Sequence, residues 1–563
     1  MTKILIIILF LWSNFAWAAT YYVDNSCTDT NPASHIVDGT TYDPATPACT
    51  GGSDSYYTTL ADLSTSEETT GPGDFILLRS GKSWRETLSI PESGTSGNVI
   101  TYGRFGTGAA PKILMTEQVD GDPYTWVEYD GTHKIYSVDL TATGATKFYT
   151  MANEAGTDRE PRYISLPAAE DWADGYTWGS IYDATPTFYY RSTTVGSAAN
   201  LNAQNREVGV RDYGINFGGY DYITVDGIEI YGPGGTDAAD WADKNIRGFS
   251  GANAYNLTIK NCKTSMVFSN WLTGQNGTAS NTVIERNTFE KAWAGVQFYY
   301  YDGATVKHNT FINICNKGGD TGDCPFFGVQ YSDDGVFFNN YCNDRGYAGN
   351  TSNICDNGIS IVNGSDGWTI SSNYIGTSVI GGIIYGSAGE EGDPSGITVI
   401  KNVIENWGVS DYTPSGLLAK TPDKDFCAIK TCGGGGSYVD CGDTVIEDNL
   451  IINHAADAED NHYSAGILVE RNHDSLKVNR NYIWNISSAV YDIQYRIGSV
   501  AGTHEFDDNY LSGSDDTIYQ GTTPYTYEEW NTEKNYANNN GYLTEQPCGP
   551  YWIGFQCRRG LIE

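Results

Sequence analysis

Residues 281 to 311 read NTVIERNTFEKAWAGVQFYYYDGATVKHNTF, and TVIERNTF returns within them as TVKHNTF after a glycine-led segment, GVQFYYY. Aligned on the asparagine of that phrase, the chain presents Asn287, Asn309, Asn340, Asn373, Asn402, Asn449, Asn481 and Asn509, at spacings of 22, 31, 33, 29, 47, 32 and 28 residues. Three residues before each stands an apolar residue: Ile284, Val306, Phe337, Ile370, Val399, Ile446, Val478 and Phe506. Two residues after each stands another: Phe289, Phe311, Cys342, Ile375, Ile404, Ile451, Ile483 and Leu511. A signature that holds while its period varies describes one fixed structural turn carrying loops of different size, whereas a helical solenoid keeps its length. The units are β-branched and punctuated by Gly, Asn and Asp, so they predict strands and tight turns. Stacked as parallel coils, such strands bury one apolar row each and leave the alternate row outside. The recurring asparagine suits a corner that needs a left-handed backbone and an amide able to bond its counterpart in the neighbouring coil.

YITVDGIEI (222 to 230), LTIKNC (257 to 262) and the TVIERNTF series resemble the coils of right-handed parallel β-helix proteins of the pectate-lyase-like superfamily. Upstream, GDFILLRSGKSWRETLSIPESGTSGNVITYGRFGTGAAPKIL (73 to 114) resembles the N-terminal cap and first coils of its secreted members. The resemblance implies an all-β right-handed parallel β-helix solenoid over most of residues 20 to 515. It leaves the reaction open, because this fold hosts lyases, hydrolases, epimerases, adhesins and phage tailspikes.

The expected organisation is a signal peptide (1–18), an N-terminal cap with the first coils (19–115), an inserted aromatic-rich β domain (116–212), the main helix (213–515) and a C-terminal cap (516–563). The insertion lacks the asparagine signature and is dense in aromatics, as in YTWVEYDG and TFYYRS. β-helix glycoside hydrolases, xylosidase-like and fucosidase-like members among them, are similar in carrying such an insertion. Most of its aromatics are expected in a core, and the remainder are suited to stacking on sugar faces. The tail would cover the last coil, whose bare strand edge would otherwise recruit other chains.

Lys3, the apolar run Ile4 to Trp12 and the small-residue site Ala16-Trp17-Ala18 form a secretory signal in the expected order. No later stretch approaches the roughly 18 apolar residues that span a bilayer, so an exported protein, extracellular or periplasmic, is expected. Twelve cysteines fit an oxidising compartment. Cys27 and Cys49, Cys315 and Cys324, Cys342 and Cys355, Cys432 and Cys441, and Cys548 and Cys557 are close enough to read as loop staples, and none forms a zinc pattern. With 69 acidic against 33 basic residues, the net charge of −36 disfavours nucleic acid and anionic membranes as partners. It permits an acidic polysaccharide at a local basic groove, and calcium is the one cofactor such a surface invites. A monomer is expected.

The strand after each variable loop lines the substrate groove in proteins of this fold. Here that strand recurs as GVQFYYY, FGVQYSDDG, NGISIV, GGIIYG, CAIKT and AGILVER. Alternation sends Val296, Val329, Ile359, Ile383, Ile429 and Ile467 inward and Gln297, Gln330, Ser360, Ile384, Lys430 and Leu468 outward. A glycoside hydrolase needs two carboxyl groups about the scissile bond; Asp334, Asp356 and Glu470 are candidates, although SDDG is also an ordinary turn. A lyase needs a base and a cation that neutralises a uronic carboxylate. Lys430 is the candidate base there, although a solvated strand lysine reads the same way; Arg345 and Arg471 are candidate clamps, and His462 a substrate contact. The swollen repeat between Asn402 and Asn449 reads as a wall above Lys430. β-helix polygalacturonases carry a GHG that is absent here, so their reaction is disfavoured. The expected function is cleavage of a polysaccharide, hydrolysis ahead of elimination, with a non-catalytic, glycan-binding surface or adhesion protein as the alternative.

Overall fold

The computed structural model describes residues 18–27, 56–65, 70–120, 123–141, 177–180, 186–203, 206–232, 247–275, 277–314, 325–343, 357–376, 381–386, 394–405, 426–431, 441–453, 464–469, 473–485, 491–495, 503–511, 518–520, 523–525 and 541–542. Three long sheets run the length of the molecule. Each coil adds a strand to sheet 1 (Val283–Glu285, for example), then to sheet 2 (Thr288–Glu290), then to sheet 3 (Val296–Tyr299). Among the described residues sheet 1 has 14 strands and sheets 2 and 3 have 13 each, paired in parallel except where Ile518–Gln520 meets Thr523–Tyr525. The chain is a right-handed parallel β-helix. Among the described residues, no helix is long and apolar enough to cross a membrane.

The apolar rows of the repeat fill one continuous core that runs from Val23 to Leu511. Ile284, Val306, Phe337, Ile370, Val399, Ile446, Val478 and Phe506 are all buried, as are Phe289, Phe311, Cys342, Ile375, Ile404, Ile451, Ile483 and Leu511. Aromatic rings continue from coil to coil, with Phe289 stacked on Phe311 at 4.9 Å and Phe327 on Phe337 at 4.6 Å. Cys342 pairs in register with Phe311 and Ile375 and is a free, buried thiol, which corrects its expected staple to Cys355. The residue faces inward on a core strand, away from any loop. Cys27 and Cys441 are disulfide-bonded, and the other cysteines of the expected staples lie outside the described residues.

The asparagines form one buried column at the corner between sheets 1 and 2. Asn287 donates through its backbone N–H and through Nδ2 to Oδ1 of Asn309, at 2.9 and 3.1 Å. The same two bonds join each asparagine to the next as far as Asn509. Each Nδ2 also reaches a backbone carbonyl of an earlier coil, such as Ile259 from Asn287. The expected left-handed backbone falls one residue earlier. Arg286, His308, Asn339, Ser372, Lys401, Asp448, Arg480 and Asp508 hold φ between 50° and 58°, whereas the ladder asparagines do not. The residue nearer the surface takes the unfavourable backbone, and this leaves the next residue free to turn its amide inward along the stack. Cys262 closes the column, its backbone N–H donating to Asn287 Oδ1 at 2.8 Å.

After Lys112–Leu114 the chain leaves the coils. Thr116–Gln118 pairs antiparallel with Glu207–Gly209, and between them lies an antiparallel sheet in the order Thr177–Ser180, Thr187–Arg191, Ile135–Asp139, Trp126–Asp130. Trp126, Tyr136, Phe188 and Leu201 belong to a hydrophobic cluster of its own. On its edge strand Val127 and Tyr129 are exposed, and Tyr129 meets Tyr189 edge-on at 4.9 Å.

Candidate functional site

The outer face of sheet 3 carries a column of residues in direct register: Ser89, Asn216, Ser250, Trp271, Gln297, Gly328, Ser360, Ile384, Lys430, Leu468 and Gln494. Inward and outward positions agree with strand alternation for Gln297, Ser360, Ile384 and Lys430. Two positions differ from expectation. Gln330 faces outward but aligns with Tyr299, because Phe327 rather than Val329 sits beside Val296; the partner of Gln297 is therefore Gly328. Leu468 is in the column yet fully buried, in a small cluster with Cys427 and Ala465 apart from the main core. The outer face is thus covered at that coil.

Polar and aromatic groups concentrate at the opposite end. The Arg247 guanidinium lies over the Trp271 ring at 4.9 Å and donates to Ser250 Oγ at 3.2 Å. Burial pulls its proton affinity below the usual arginine range, an effect that Tyr213 and Asp212 oppose. Arg247 Nε, Trp271 Nε1 and Gln297 Oε1 are shielded from water and have no hydrogen-bond partner among the described residues. A shielded polar atom without a partner costs about 1–3 kcal/mol, and three such atoms stand here on successive coils. Two residues along the strand from Gln297, Tyr299 meets Tyr300 at 4.5 Å and Tyr331 at 5.3 Å, and Tyr300 and Tyr331 stack at 4.8 Å. Tyr300 and Tyr331 hold φ of 53° and 51° at a corner where Asn363 takes the same conformation in the next coil and Asn253 takes it two coils before Tyr300. Asparagine tolerates that conformation, whereas a tyrosine there costs about 1 kcal/mol.

Lys430 is half-buried and stands four rungs beyond Gln297, about 19 Å at ~4.8 Å per rung. Small residues, Gly328 and Ser360, occupy the first two of those rungs. At the corner beyond Tyr331, between sheets 3 and 1, carboxylates form a second ladder that the repeat did not reveal. Asp302 Oδ1 accepts the Asp333 N–H at 2.9 Å, Asp333 Oδ1 accepts the Asp366 N–H at 2.8 Å, and Asp366 Oδ1 accepts the Ser395 N–H at 2.6 Å. Burial raises the proton affinity of Asp333; the Asp366 N–H opposes this, and Asp302, Asp366 and Asp334 reinforce it. Asp334 is the exposed, left-handed residue of that turn, with φ 56°.

Of the residues singled out from sequence, Asp334 and Lys430 are therefore placed, one at the corner and one on the face. Asp356, Glu470, Arg345, His462 and Arg471 lie outside the described residues, as does the long loop expected to wall the groove. Among the described residues no three His, Cys, Asp or Glu side chains group to hold a metal ion; the acidic loops that invite calcium lie outside them. Sequence reasoning missed Arg247 and Trp271. Both lie in coils before the asparagine column begins, where Ile228 and Cys262 occupy the ladder position.

No family model and no curated protein matches the chain. Among solved structures it is similar to XylC in complex with xylose, at 12% identity over 94% of this chain and 86% of that one, with a TM-score of 0.46. It is also similar to a GH136 lacto-N-biosidase from Eubacterium ramulus (13% identity, 81% and 67% covered, TM-score 0.37). A third similar structure is an alginate lyase from Paenibacillus (11% identity, 78% and 97% covered, TM-score 0.34).

Proposed function

We propose that this chain is an exported carbohydrate-active enzyme that lays a polysaccharide along the outer face of sheet 3 and cleaves its glycosidic bonds. The observation that carries the reading is the run of a cation, an indole, an amide and a tyrosine on consecutive coils of one face, with two further tyrosines at its corner and polar atoms there left unpartnered. Sugars present alternating hydroxyls and apolar ring faces, and these side chains match both. An extended chain also suits a face whose rungs repeat every ~4.8 Å.

Hydrolysis is the first reading. It needs one carboxyl group that holds its proton and one that is ionised. Asp333, whose proton affinity burial raises, stands at the edge of the face as a candidate for the first group; Asp334, Asp356 and Glu470 are the further candidates. In the second reading Lys430 withdraws a proton beside a sugar carboxylate, a cationic clamp such as Arg345 or Arg471 neutralises that carboxylate, and the leaving-group oxygen departs with a new double bond in the ring. His462 would contact substrate in either case.

Digestion of a broad glycan panel by the purified protein tests the proposal. New reducing ends without ultraviolet-absorbing double bonds, lost in Asp334→Asn, support hydrolysis. Absorbing products, lost in Lys430→Ala, support elimination. Binding without any product would instead favour the non-catalytic surface or adhesion protein.

A further inference from the structure

The environment of Arg247 narrows the ligand class. In a chain of net charge −36, Arg79, Arg85, Arg211, Arg286 and Arg480 each lie against a carboxylate. Arg247 meets a hydroxyl and an indole face instead. Its backbone N–H donates to the Asp212 carbonyl at 2.8 Å; the Asp212 and Tyr213 side chains act on the guanidinium only through space, and no described carboxylate bonds it. Desolvating a guanidinium that no described carboxylate bonds is costly. The adjoining rungs supply one donor, Trp271 Nε1–H, and one acceptor, Gln297 Oε1. A hydroxyl accepts from the first and donates to the second. Arg247, Trp271 and Gln297 are each only half-buried, and a ligand on this face would engage the shielded atoms on rotation of those side chains.

We infer that the Arg247, Trp271 and Gln297 rungs form a subsite for a negatively charged sugar unit, with the anionic substituent on the Arg247 guanidinium and a ring hydroxyl between Trp271 Nε1 and Gln297 Oε1. This rests on the reading of sheet 3 as a saccharide-binding face and adds the charge of the ligand to it. A carboxylate and a sulfate ester present the same chemistry to a guanidinium, and the two sources are separated by experiment.

Calorimetric titration of the full chain with length-matched oligosaccharides decides the matter, using oligogalacturonate as the carboxylate probe, a carrageenan oligosaccharide as the sulfate probe and a xylo-oligosaccharide as the neutral one. At least one acidic probe should bind about tenfold or more tighter than the neutral one at low salt, the value of a single charge-assisted contact. The advantage should shrink as salt is raised, vanish in Arg247→Gln and survive in part in Arg247→Lys, with circular dichroism confirming that both variants fold. The salt dependence of the unmodified protein tests the inference even if neither variant folds. Equal affinity for neutral and acidic probes, or an acidic preference that persists in a folded Arg247→Gln, overturns it. Equal binding that is lost in Trp271→Ala would leave the saccharide face standing and remove only its charge selectivity, whereas no binding by any probe would overturn both.

Discussion

Asn373 is held from both sides of the stack. Its Oδ1 accepts from Asn340 N and Nδ2 at 2.8 and 3.1 Å, and its Nδ2 reaches the Phe337 carbonyl and Asn402 Oδ1 at 2.9 and 3.0 Å. Asn373→Leu fills the volume but orphans the buried Asn340 N–H and the Phe337 carbonyl of the preceding coil and takes a donor from Asn402 Oδ1 of the next, at about 1–3 kcal/mol for each orphaned group. Urea unfolding should show a clearly lowered midpoint; an unchanged one would mean that the ladder contributes little. His473 provides a different residue-scale test. It is fully buried with Nε2 3.0 Å from Thr431 Oγ1, and burial, helped by His504, pulls its pKa from 6.5 down to about 4. A base whose folded pKa is depressed binds fewer protons folded than unfolded. Its contribution is therefore intact above about pH 6.5 and is lost as pH falls toward 4, about 3 kcal/mol in all. The stability difference between the unmodified protein and His473→Gln, followed by denaturant unfolding across that window, should narrow as pH falls. A difference independent of pH would exclude this role.

At the scale of strands and corners, Gly335 shows how closely coils approach. A Cβ there would run into the Trp368 ring of the next coil, whose Nε1 donates to the Ser332 carbonyl. Gly335→Ala is expected to cost about 1–3 kcal/mol by overpacking, and Trp368→Phe should recover part of that loss in a double-mutant cycle. Strictly additive effects would contradict the contact. These corners also mark the limit of what the sequence discloses. The asparagine column and its flanking apolar rows were legible because the corner between sheets 1 and 2 has constant length, so one residue type recurs at fixed offsets. The corner between sheets 3 and 1 also has a fixed register, yet Asp302, Asp333, Asp366 and Ser395 solve it with two residue types among many other acids. Sheet 3 follows the loops of variable length, so inward and outward parity could be read along each strand while its alignment to the next could not. That is why Gln330 was set beside Gln297 although Gly328 is its neighbour. Leu468 was placed outside by parity alone, which carries no information about what covers an outer face.

The molecule as a whole is a rod whose core is uniform and whose three outer faces differ. Because binding groups stand on a scaffold that does not depend on them, exposed candidates should separate function from stability. Asp334→Asn is expected to leave the melting temperature nearly unchanged while reducing turnover on the responsive glycan; a variant that melts early would reassign Asp334 to the corner alone. Legibility at this scale was uneven for a physical reason. Fold follows from a pattern repeated eight times, whereas the face that would receive a sugar is assembled from single residues on different coils, Arg247, Trp271, Gln297 and Tyr331, with no spacing in common. The most direct test is a crystal structure of the protein with an oligosaccharide that it binds in solution. The saccharide should run along the outer face of sheet 3, crossing Trp271 and Gln297 and extending toward Lys430, and a saccharide seated on sheet 1, on sheet 2 or only on the Trp126–Asp130 edge would contradict the account.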